Sequence, residues 1–239
     1  MYGIVIAFKD FSSSKGIMGS EWIGFKHFSQ FYNSIYFWRL IKNTLLLSVY
    51  SLVFSFPVPI LFALLLNEVK DGIYKRFVQT ASYLPYFISI VVSMGIVVNM
   101  LSEVDGVANL LLARMGIEPV NFMGSSDWFR TIYVSSGIWQ GFGWGSIIYF
   151  AALSGINPEY YEAAKIDGAD RLRRLWHISI PGIMPTIVIL LLLNLGSLMN
   201  VGFEKILLLY NPAIYDVADV IQTYVYRKGI LEADFSFSA

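Results

Sequence analysis

Residues 159–181 read E-Y-Y-E-A-A-K-I-D-G-A-D-R-L-R-R-L-W-H-I-S-I-P, the longest compact run of charge in an otherwise oily chain. Asn157 can cap a helix here, Pro158 suits its first position, and Glu159 and Glu162 put negative charge near the positive end of the helix dipole. Gly168 reaches positive φ readily, which predicts a bend at Asp167–Gly168. Beyond it, Leu172, Leu175 and Trp176 fall at i, i+3 and i+4, an apolar stripe with Arg171, Arg173 and Arg174 around it. Pro181 limits continuation. The stretch therefore predicts two short helices, bent between them, lying at a membrane face.

Outward from this segment the chain is largely uncharged. Residues 43–67, 77–102, 131–158 and 178–203 carry no Asp, Glu, Lys, Arg or His. Each has about 25 residues, enough to cross a ~30 Å hydrocarbon core with some tilt. Charged residues are only 14% of the total, with 56% hydrophobic and a mean hydropathy of +0.59. Soluble domains carry about a quarter charged residues, so an all-α polytopic membrane protein is expected. Met1–Phe8 resembles the tail of a further span, without the charged n-region or small-residue cleavage site of a signal peptide.

Lys and Arg counts orient the spans. Segments 68–76 and 159–177 hold seven in 28 residues, whereas segments 9–42, 103–130 and 204–239 hold ten in 98. The denser side is cytoplasmic by the positive-inside rule, which puts 159–181 inside the cell. The formal net charge is zero, which gives no basic excess for nucleic acid. Cysteine is absent, which excludes disulfides, zinc–cysteine sites and a thiol nucleophile. His27 and His177 stand alone, so no metal is assigned. An intramembrane enzyme would need a nucleophile with a base, a carboxylate pair or a metal, and the uncharged runs offer none of these. A passive membrane scaffold is the remaining rival.

The sequence E-A-A-K-I-D-G-A followed by L-W-H-I-S-I-P resembles the E-A-A loop in permease subunits of ABC importers. Glu162, Ala163, Ala164, Asp167, Gly168, Ala169, Ile178 and Pro181 match that pattern, while Leu175 and Ile180 replace a common aromatic and a common Leu. The resemblance implies a type I importer permease core of four complete spans plus part of a first, in one domain over 1–239. It makes 159–181 the cytoplasmic coupling segment of that domain. Because a first helix begins earlier and a sixth follows later in such permeases, the chain is expected to be truncated at both ends. Glu162 and Asp167 are then expected to meet the ATPase surface, Gly168 to permit the bend, and Ala163, Ala164 and Ala169 to allow close packing. The implied partners are two ABC ATPase subunits, a second homologous permease, an extracellular or periplasmic solute-binding protein and membrane lipid. No G-x-x-x-x-G-K-[S/T] loop occurs, so no cofactor is assigned to this chain and ATP and Mg belong to the partner ATPase. The implied location is the plasma (inner) membrane of a prokaryote.

Residues 202–230 are similar to the outer loop and final-helix entry of carbohydrate-uptake permeases, in a branch linked to oligosaccharides and polysaccharide fragments. Asn211, Pro212, Tyr215, Asp216, Thr223–Tyr226 and Gly229 carry this likeness, and it implies a carbohydrate cargo; an importer permease for a non-sugar solute is the alternative, because the E-A-A stretch reports the motor and not the cargo. Trp139, Gln140 and Trp144 are then candidates for the sugar pathway, because sugar rings stack on aromatic faces and hydroxyls need amide partners. Asn194 and Asn200, polar within a Leu-rich span, are further candidates. Gly137, Gly141 and Gly145 recur every four positions and predict close helix approach. Trp22, Phe25, Phe28, Phe31, Tyr32, Tyr36, Phe37 and Trp38 predict an amphipathic segment on the outer face.

Overall fold

The computed structural model describes residues 2–239. At the N-terminal end, α1 (Tyr2–Ile6), β1 (Lys9–Asp10), α2 (Gly16–Gly19), β2 (Glu21–Trp22) and α3 (Lys26–Tyr32) form a small cap. The strands pair antiparallel, with Lys9 opposite Trp22. The expectation of a span over Met1–Phe8 lies at Met1 outside the described residues. The aromatic segment folds as this hairpin and helix, with Phe8 at its centre. Phe8 stacks on Trp22 at 5.7 Å and meets Phe25 edge-on at 5.4 Å. Phe31 packs against Tyr224 and Phe237 near the other end of the chain.

The run from residue 43 to 67 lies in one continuous helix, α4 (Phe37–Ser55) with α5 (Pro57–Asn67), because Phe56 keeps helical angles of −65° and −41°. Residues 77–102 behave differently. α6 (Ile73–Tyr83) ends in a 3₁₀ turn at Leu84–Phe87, and α7 (Ile90–Met100) leaves at 101° to it. Pro85 has no N–H to continue the helix, and Ser89 starts the next one by accepting from the Val92 N–H at 3.3 Å. The expected span is thus a bent pair. After α8 (Val107–Arg114) comes α9 (Ser126–Ser154), about 44 Å long at 1.5 Å per residue.

α10 (Pro158–Ile166) and α11 (Arg171–Arg174) are the two predicted short helices, but the second does not stop at Pro181. It passes through a π turn at Leu175–Ser179 into α12 (Ile180–Gly196). In the wide turn the Ile180 N–H reaches back to the Leu175 carbonyl, and Pro181 falls in the first turn of α12, where a missing N–H is tolerated. α13 (Phe203–Leu209), α14 (Tyr215–Ala218), α15 (Ile221–Tyr226), a π turn at Arg227–Leu231 and α16 (Phe235–Ser238) complete the outer cap.

Two continuous helices, Phe37–Asn67 and Arg171–Gly196, are long and apolar enough to cross a membrane. α9 is long but less apolar, and nine of its 29 residues are buried. It packs against α4, α5, α6, α7, α12, α13 and α14. Two apolar cores lie along it. Leu47, Met94, Phe129, Ile206 and Ile214 fill the outer one, and Ala63, Leu64, Tyr149, Leu153 and Ile183 the inner one.

The expected glycine seam is not a single seam, since a four-residue step drifts about 40° around a helix of 3.6 residues per turn. A Cβ on Gly145 would meet Pro59 at 3.3 Å and one on Gly137 would meet Lys205, whereas Gly141 faces open space. The tightest approach is at Gly143, where a Cβ would overlap the Ser82 backbone.

Candidate functional site: coupling hairpin and membrane cavity

The charged hairpin is closed at every end by its own residues. Asn157 Oδ1 accepts from the Glu159 N–H at 3.0 Å, capping α10. At the other end Gly168 takes φ +78°. Its N–H reaches the Lys165 carbonyl at 3.1 Å, and the Ala169 N–H reaches that of Ala164 at 2.8 Å. This pair of bonds is a Schellman motif, which needs a left-handed residue at that point. Asp170 Oδ1 accepts from the Arg173 N–H at 2.8 Å and starts α11. Tyr161 and the buried Ser179 share a hydroxyl hydrogen bond of 2.9 Å, tying α10 to the foot of α12.

All six residues singled out for coupling therefore lie together on one braced hairpin. Glu162, Ala163, Asp167 and Gly168 are exposed, and Ala164 and Ala169 half-buried. Around them stand Tyr160, Ile166 (87% exposed), Leu172 and Trp176. So much apolar surface within a charged tip marks a face that meets protein or membrane.

The second feature is a cavity of about 380 Å³ between α4, α9 and the end of α12. Its polar wall consists of Ser48, Ser51 and Ser55 on α4, Tyr133 and Tyr149 on α9, and Asn194, Ser197 and Asn200. Asn194 Nδ2 donates to the Leu190 carbonyl at 2.8 Å, and Ser197 Oγ to that of Asn194 at 3.1 Å. Asn194 and Asn200 are thus brought together on one wall. The other three pathway candidates lie elsewhere. Gln140 Nε2 donates to the Ile88 carbonyl and to Ser93 Oγ, both at 3.1 Å. Trp144 stacks on Tyr86 at 4.8 Å, and Trp139 lines an apolar groove beside Ile96 and Met100.

Sequence reading missed the α4 serines, although 48, 51 and 55 fall at i, i+3 and i+7 in an apolar run. It also missed what closes the outer end. Tyr133 Oη accepts from the Gly202 N–H at 3.2 Å. The buried Lys205 ammonium donates to the Tyr133 carbonyl and lies 4.4 Å from the Tyr133 ring centroid. Above it, the fully buried Asp219 accepts from Arg227 at 2.7 and 3.0 Å and from Thr223 at 2.8 Å, with Arg39 at 3.6 Å. Asn43 donates to the backbone carbonyls of Asp216 and Asp219, locking α4 to this cap. The cavity wall offers hydroxyls, amides and aromatic rings, which suits reversible hydrogen bonding to a hydroxylated solute.

Apolar helices around a polar cavity, with a braced charged hairpin on the Lys- and Arg-rich face, define a polytopic membrane permease. Residues 42–226 match the binding-protein-dependent transport system inner membrane component family, and the chain belongs to it. It is 46% identical over 238 residues to the polygalacturonan/rhamnogalacturonan transport system permease protein YteP of Bacillus subtilis (strain 168), covering 100% of this chain and 74% of that protein. It superimposes with a TM-score of 0.92 and 47% identity on the crystal structure of a bacterial ABC transporter involved in the import of the acidic polysaccharide alginate, over 99% of this chain and 79% of that one. A second alginate ABC transporter structure, in complex with alginate pentasaccharide-bound periplasmic protein, gives a TM-score of 0.88 at 50% identity, over 90% and 75% of the two chains.

Proposed function

We propose that this chain is one permease half of an ATP-driven importer for acidic oligosaccharides. It acts as a single permease domain with four complete spans, α4–α5, the bent pair α6–α7, α9, and α11–α12, in addition to part of a first. A second permease closes the cavity, a solute-binding protein delivers the sugar from outside, and two ATPase subunits hold ATP and Mg²⁺. The choice of an acidic sugar rests on the relatives, whose names specify polygalacturonan, rhamnogalacturonan and alginate.

The observation that carries the reading is the unbroken path from hairpin to cavity. The Tyr161–Ser179 bond fixes α10 to the π turn, and α12 runs from there to Asn194 on the cavity wall. Movement of the ATPase pair against Glu162 and Asp167 is thereby transmitted to the residues that hold the solute. The test is ATPase activity of the reconstituted importer stimulated by loaded binding protein. Gly168→Trp and Glu162→Arg are each expected to abolish stimulation while the subunit still inserts in the membrane. Stimulation that survives both changes overturns the coupling assignment.

A further inference from the structure

Lys205 sits in the first turn of α13. It is buried, yet among the described residues it makes no ion pair, and its adjacent Glu204 is exposed and engages nothing. Its ammonium rests on a backbone carbonyl and the ring of Tyr133, weak substitutes for an anion. Burying an ammonium without a counter-charge is costly. Arg39 and Arg227 show the contrast, both meeting Asp219.

A second cation lies close by in the fold. Arg130 precedes Tyr133 and Gly137 on one face of α9 by helical spacing. It too forms no ion pair among the described residues, and its buried Nε has no hydrogen-bond partner. Tyr133, Asn200 and Val201 form the outer end of the cavity, and Lys205 stands directly behind Tyr133. Two cations without ion pairs among the described residues thus stand beside Tyr133, Lys205 in contact with it and Arg130 one helical turn before it, and Tyr133 itself lines the cavity.

We propose that Lys205, assisted by Arg130, is a carboxylate-binding station at the outer end of the cavity, selecting sugars that carry uronate groups. This rests on the reading of the chain as a sugar importer. On arrival of the cargo the ammonium exchanges the Tyr133 carbonyl for a carboxylate, and the buried charge gains the counter-ion it lacks.

The experiment is uptake of galacturonate tetramer and of alginate pentasaccharide into proteoliposomes holding the complete importer. Both are run with Lys205→Met, which keeps length, Lys205→Arg, which keeps charge, and Arg130→Gln. The Met variant is expected to lose uptake by on the order of tenfold, the worth of one charge-assisted hydrogen bond. It should keep membrane insertion and assembly of the complex, while the Arg variant restores most uptake and Arg130→Gln loses a smaller share. Unchanged uptake in the Met variant overturns the station. So does joint loss of uptake and assembly in both Lys205 variants, which would make the lysine a packing element. If the unmodified importer carries neither probe, it is the acidic-sugar reading that fails, and the station falls with it.

Discussion

Two glycines on α9, two positions apart, answer to different constraints. A methyl group on Gly143 would overlap the Ser82 carbonyl, and backbone cannot yield as a side-chain tip can; the same group on Gly141 meets nothing within 4 Å. Gly143→Ala is expected to force α6 off α9 and abolish accumulation of folded subunit. Gly141→Ala removes a backbone-entropy penalty of roughly 0.5–1 kcal/mol and should leave accumulation unchanged. Comparing monodisperse subunit extracted from membranes separates the two, and equal yields would refute the contact. The sequence presents Gly137, Gly141, Gly143 and Gly145 side by side without ranking them, since the ranking depends on which neighbour crosses at which height. Gly168 was legible for the opposite reason. Its left-handed conformation answers to the local end of α10, and local chemistry is written in adjacent residues.

At the scale of elements, the break between α6 and α7 decides what Gln140 does. A polar side chain in an apolar helix must find a partner, and from sequence alone a sugar hydroxyl and a backbone carbonyl are equally good candidates. Pro85 announces that some carbonyl nearby loses its donor, but not that the chain turns by 101° and leaves the Ile88 carbonyl facing Gln140. Gln140→Leu would strand that carbonyl at a cost of roughly 1–3 kcal/mol. Gln140→Glu, when ionised, has no donor to give and should do no better. Both variants are expected to lower the thermal midpoint of the purified complex. An unchanged midpoint with reduced uptake would return Gln140 to the solute pathway. The π turn before Pro181 was equally hidden, because a proline in an apolar stretch reads as a stop unless the preceding turn is known to widen.

On the scale of the whole molecule, the two cores and the polar cavity all lie along α9, with Tyr133 shared between the outer core and the cavity and Tyr149 between the inner core and the cavity. An importer must open such a chamber to one side at a time, and the absence of native cysteine makes that directly measurable. Single cysteines at Ser51 and Asn200 report the chamber, and one at Ile166 reports the hairpin tip. Trp139→Cys, in the groove beside α7, is the control. In the assembled importer, labelling of the first two by a membrane-impermeant maleimide from outside is expected to change several-fold between nucleotide-free and nucleotide-trapped states, with Trp139→Cys constant. Ile166→Cys should react only from the cytoplasmic face and be shielded once the ATPase is docked. Invariant labelling at both Ser51 and Asn200 would mean that the solute passes elsewhere, and that the serine stripe of α4 serves packing alone. A change at both, together with protection of Ile166, would tie hairpin and chamber into one motion, because α12 is the element that reaches from one to the other.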